Sequence, residues 1–182
     1  MCFFILNRRN LMKSKSNVLS PAVVAAAALL SIPFYGMQAE ARQIAPLLKT
    51  VADVLGTSKA SKKMLGTTTV FYSKDKDKAS KVAVIAHALW GGRCTHEWVI
   101  GIDYPTNKVT KVAVTELSCP HADPINESGF LDQFKGKGPV DMKGVKRLSG
   151  INTVAKATGS SDLTNEEVVK AIALVEKNHA AF

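Results

Sequence analysis

Cysteine is scarce in this chain: there are three among 182 residues, and none of them sits in a Cys-x-x-Cys pair or a Cys-x-x-Cys-His run. That excludes covalently attached c-type haem and every standard zinc signature. Aromatics make up only 7%, and the lysines are scattered without aromatics between them, so 24 basic residues against 15 acidic do not add up to a nucleic-acid-binding surface. The excess charge reads instead as a solvated surface or as attraction to an anionic membrane face. No internal repeat, phosphate-binding glycine loop, Ser-His-Asp order or paired-carboxylate setting stands out. What remains is 46% hydrophobic, which excludes a disordered or collagen-like chain and suits one globular domain.

The apolar residues are unevenly placed. Residues 18–35 carry no charge, and Arg8, Arg9, Lys13 and Lys15 crowd the stretch before them. Ala39 and Ala41 supply the small residues of a cleavage site, so residues 1–41 are expected to be a signal peptide cut after Ala41, placing the mature protein in the periplasm or otherwise outside the cytoplasm. Asn7-Arg8-Arg9-Asn10-Leu11-Met12-Lys13 looks like a twin-arginine signal, while a start at Met12 would leave an ordinary Sec-type one. Cleavage removes four basic residues and one acidic, so the net charge falls from +9 to +6. The remaining residues 42–182 are enough to bury about two-thirds of their unfolded surface without a staple.

Within that domain Ile44, Leu47, Leu48, Val51, Val54 and Leu55 recur at helical spacing until Gly56, which predicts one helix and then a shorter helical turn up to residue 65. Residues 67–73 and 81–90 read as a hairpin around the charged tip 74–78. Residues 95–103 and 108–117 form a second pair around Tyr104-Pro105-Thr106-Asn107. A long connection containing Phe130, Leu131 and Phe134 follows, then a helix from near Thr164, where Thr164 and Glu167 form a capping box. The expected class is α+β, with an antiparallel sheet of four or more strands flanked by an N-terminal and a C-terminal helix.

Two Cys-x-His units, Cys94-Thr95-His96 and Cys119-Pro120-His121, offer chemistry. Residues two apart on a strand share a face, so Cys94, His96, Cys119 and His121 make a ligand set for zinc or a soft transition metal. The same cysteines in an exported chain also suit a Cys94–Cys119 disulfide, or a redox-active pair. His87, in an apolar strand, is expected to be buried, and His179 to complement a helix C-terminus.

A further set of residues carries a resemblance. The run 99–103 with Lys108-Val109, then Val112-Ala113-Val114, then Phe130-Leu131-Asp132-Gln133-Phe134-Lys135-Gly136-Lys137, and finally residues 151–161 before a helix, resembles the FMN-binding domain of the Rnf and sodium-pumping quinone reductase subunits. The likeness spans residues 67–172. In that family the flavin phosphate is often joined to a Thr hydroxyl, and the resemblance puts Thr158 in that place. Asn152, Ala155 and Lys156 replace the family's acid, hydroxyl residue and glycine. The resemblance implies an electron carrier rather than a catalyst, with FMN as cofactor and membrane-associated redox proteins and a flavin transferase as partners. Thr158, Lys156 and Ser160 are expected near the phosphate, where Lys156 brings a cation and the residues before the helix bring N–H groups. Gly91, Gly92 and Phe134 are expected near the ring. A metal-binding domain, or a disulfide-bonded domain without a cofactor, is the alternative.

Overall fold

The computed structural model describes residues 42–76, 78–144 and 146–182, so the expected export segment, residues 1–41, lies outside the described residues. The two-residue strand β1 (Arg42–Gln43) leads into helix α1 (Leu47–Leu55). Gly56 ends α1 at φ 70°, its N–H donating to the carbonyl of Ala52, a left-handed stop that glycine makes without steric cost. Strands β2 (Ser61–Leu65), β3 (Thr68–Asp75), β4 (Lys78–Trp90), β5 (Cys94–Asp103) and β6 (Lys108–Leu117) then form an antiparallel meander. With β1 paired to β6, the sheet has six strands in the order β1-β6-β5-β4-β3-β2. The long connection holds a short helix α2 (Asp123–Glu127), a 3-10 turn at Phe130–Phe134 and a small ribbon of β7 (Met142–Lys143) with β8 (Arg147–Leu148). Helix α3 (Thr158–Lys177) closes the domain. The α+β class is as expected from the sequence.

Strand alternation sorts the sheet into two faces. Val82, Val84 and Ala86 of β4 and Trp98, Ile100 and Ile102 of β5 join the cluster that includes Val168, Ile172 and Val175 of α3. The intervening Ala83, Ile85 and Val99 join Val51, Val54 and Leu55 of α1. Burial on both faces is why these strands read as near-continuous apolar runs. α1 comes so close at Gly101 that a Cβ there would lie 2.4 Å from Val54 Cγ1.

Two expectations are corrected. Residues 61–65 form a strand, not a helical turn: Gly66 at φ 61° turns the chain back, and Leu65 pairs with Thr68 and Ser61 with Tyr72. Mostly exposed, Ser61–Leu65 has no continuous apolar stripe to pack as a helix, so the ladder to β3 decides. The last helix starts at Thr158 rather than near Thr164, and Thr164 sits inside it, donating from Oγ1 to the Ser160 carbonyl at 2.7 Å instead of capping. Tertiary bonds hold the added first turn despite its Gly and Ser content.

Candidate functional site

The β4–β5 turn and the start of α3 meet at one end of the sheet. Gly91 and Gly92, at φ 60° and 71°, carry the chain from Trp90 round to its cross-strand partner Cys94. Nothing lies within 4 Å of where their side chains would be, so their immediate role is to make the turn.

Between β5 and β6 the register begins with Asp103 opposite Lys108 and ends with His96 opposite Leu117. Irregularities at Glu97/Trp98 and Gly101/Ile102 shift it on the way. Continued from the first pairing, the ladder would set Cys94 against Leu117; the shifts bring Cys119 there instead. Thr95 and Ser118 are held together just inside, Thr95 N–H donating to Ser118 Oγ at 2.6 Å and Ser118 N–H to the Thr95 carbonyl at 3.1 Å. Cys94 and Cys119 are disulfide-bonded, with Cα atoms 5.4 Å apart.

His96 lies on the same face of β5 as Cys94 but deeper, fully buried and stacked on Trp98 at 5.3 Å. Its Nδ1 is 3.0 Å from the Cys94 carbonyl, an acceptor, so Nδ1 carries the proton and donates. Nε2 therefore accepts from Ser160 Oγ at 2.9 Å. Burial lowers the His96 pKa below its ordinary value, a shift the Cys94 carbonyl opposes, and the ring is held neutral. This bond fastens the first turn of α3 to β5. Ser161 secures the same turn, its Oγ donating to the Ala157 carbonyl and accepting from Val154 N–H.

The metal alternative is corrected by this geometry. The sulfurs of Cys94 and Cys119 are bonded to each other and both ring nitrogens of His96 are engaged, which leaves His121 alone of the four. Among the described residues no group of three or more His, Cys, Asp or Glu side chains is placed to hold a metal ion. His87 is exposed rather than buried, with Nε2 3.0 Å from Glu97 Oε2. His179 stacks on Tyr104 at 4.2 Å.

A cleft of about 130 Å³ opens over the disulfide, lined by Trp90, Cys94, Cys119, His121, Lys156 and Ser160, with Ala122, Ala157 and Gly159 completing it. Two sets of residues that are separate in the sequence thus share one place. Lys156 reaches it from a left-handed backbone at φ 66°, the conformation glycine favours. Thr158, exposed, is the first residue of α3, whose N-terminus has no capping side chain and no acid in its first turn. Phe134 does not take part: it is fully buried, edge-on to Phe130 at 5.3 Å in the main core. Trp90 and the His96–Ser160 bond were not anticipated. An apolar Trp immediately before a Gly-Gly turn was the available signal for the first, and the second depends on a contact across 64 positions. A Cβ on Gly159 would come within 2.3 Å of the Trp90 indole, so that glycine is what admits the ring.

Fold and cleft together define the class: an α+β domain whose sheet carries a helix on each face and a disulfide-lined cleft where the C-terminal helix begins. No protein-family model matches the chain, and no curated protein matches it. Among solved structures it is similar to NqrC of Shewanella oneidensis, with 18% identity over 82% of this chain and 76% of that one, at a TM-score of 0.46.

Proposed function

We propose that the chain is an exported FMN-binding protein that passes electrons between membrane-associated redox partners and an acceptor, its flavin phosphate held at the start of α3. The observation that carries this reading is Thr158: an exposed hydroxyl opening an uncapped helix of 20 residues, with Lys156 two residues before it. A helix N-terminus with unsatisfied N–H groups and a nearby ammonium suits a phosphate. The left-handed backbone at Lys156 keeps a glycine-like turn where the resemblance expects glycine.

The residues present fit the phosphate end best. At about 130 Å³ the cleft is smaller than the roughly 300 Å³ of the smallest pockets that enclose a ligand, so the three-ring system is not swallowed by it. Trp90, 51% exposed, is the aromatic surface on which a flat ring would rest, with the open Gly91-Gly92 turn beyond it. When bound, the flavin would supply the electron-transfer chemistry. The chain's own part is to hold it: Lys156 neutralises charge, Thr158 offers a hydroxyl for hydrogen bonding or for esterification by a flavin transferase, and Ser160 keeps the helix start fixed to His96. Phe134 has no role in this reading.

The test is a visible spectrum of purified protein after incubation with FMN, with and without a flavin transferase. Retained flavin absorption after desalting is the expected result. Protein that stays colourless under both conditions overturns the proposal.

A further inference from the structure

The disulfide is not needed to set the segments it joins, β5 and the chain just after β6. Thr95 and Ser118, the immediate neighbours of Cys94 and Cys119, are already bonded between the same two chain segments at 2.6 and 3.1 Å. Opening the bridge would therefore leave two sulfurs held close together, able to close again. The bridge is also reachable, because both cysteines line the cleft and Cys119 is only half-buried, while Cys94 is 8% exposed. Among the described residues no carboxylate lines the cleft. Lys156 and His121 share the lining, and the uncapped positive end of α3 adjoins them with no acid in its first turn. Such surroundings stabilise a thiolate, which both lowers the cost of the reduced state and makes a better leaving group. Leu89 and Trp90, exposed by 60% and 51% at the end of β4, give the rim an apolar contact surface beside the sulfurs.

We infer that Cys94 and Cys119 form a redox-active couple that exchanges two electrons with a dithiol protein docking at this cleft. A thiolate of that partner attacks Sγ of Cys119, the more exposed cysteine; the Cys94–Cys119 bond breaks and Cys94 leaves as a thiolate among Lys156, His121 and the start of α3. The partner's second thiolate then attacks its own sulfur in the mixed disulfide and releases Cys119. Two protons from the partner's thiols end on Cys94 and Cys119, the partner leaves as a disulfide, and the balance closes. The reverse sequence oxidises the pair. This exchange needs no flavin and stands or falls apart from the reading above.

The experiment uses the full chain purified without flavin, equilibrated in glutathione buffers of graded redox poise, alkylated and weighed, with circular dichroism recorded on the same samples. The expected result is a reversible two-thiol transition within the range of the glutathione couple and an unchanged fold. In a Lys156→Gln, His121→Gln double variant the equilibrium shifts by about threefold toward the disulfide, the scale of a partly exposed charge interaction. Either of two outcomes overturns the inference: cysteines that resist reduction or are reduced only as the fold is lost, which marks a purely structural bridge, or a transition that the double variant leaves in place.

Discussion

The two helices that cover the sheet bury different mixtures of surface. α1 offers Val51, Val54 and Leu55 to Ala83, Ile85 and Val99, an apolar contact tight enough to require Gly101 opposite. The first half of α3 instead buries Ser160, Ser161, Thr164, Asn165 and Glu167, and only the second half turns apolar with Val168, Val169, Ala171, Ile172 and Val175. Polar burial costs free energy unless each group is bonded. Here it is bonded, through His96 to Ser160, Ser161 to Ala157 and Val154, and Asn165 Oδ1 to the Leu148 N–H at 2.8 Å. α1 is thus a packing element, whereas the start of α3 is a positioned one, and the cleft lies where the positioning is.

That contrast can be broken from either side. The largest effect is expected on α1: Leu55→Ala, at a position 3% exposed, should lower unfolding free energy by about 2–5 kcal/mol in urea while leaving cysteine reactivity at the cleft unchanged. Ser160→Ala on α3 should cost about 1–3 kcal/mol, because it strips the donor from a buried ring nitrogen. Unlike the α1 variant, it should also alter the accessibility of the disulfide to alkylation after mild reduction.

The smallest effect concerns pH. Burial depresses the His96 pKa from its ordinary 6.5, so the unfolded chain takes up this proton before the folded one does. Above that value both states are neutral and the contribution is present in full. As pH falls below it, toward the lower folded pKa, stability drops with a slope of up to about 1.4 kcal/mol per pH unit. His96→Gln should lose this part of the pH dependence; thermal melts between neutral and mildly acid pH check it, and identical profiles would show that His96 does not titrate as described.

Much of this was legible in the sequence, and the exceptions share a cause. The pairs 95–103 with 108–117 and the charged hairpin tip were readable because β-branched runs ended at turn residues. The start of α3 was missed because Thr158, Gly159, Ser160 and Ser161 are weak helix formers on their own; contacts from β5 and from the loop before the helix override that preference. Ser61–Leu65 was misread because Lys62, Lys63 and Met64 have no apolar periodicity of either kind, so pairing with β3 settles the matter. The pairing of Cys94 with Cys119 was open from spacing alone, since it depends on the register shifts between β5 and β6, which no residue in those strands announces. The convergence of Lys156 with the two cysteines needed the fold itself.

Whether the beginning of α3 receives a flavin phosphate, as proposed, is decided by titrating FMN fluorescence with the purified chain and with Lys156→Glu. Saturable binding to the parent chain is expected, weakened by about tenfold when the charge beside the phosphate is reversed. Absence of saturable binding, or equal binding by the two proteins, would contradict the proposal.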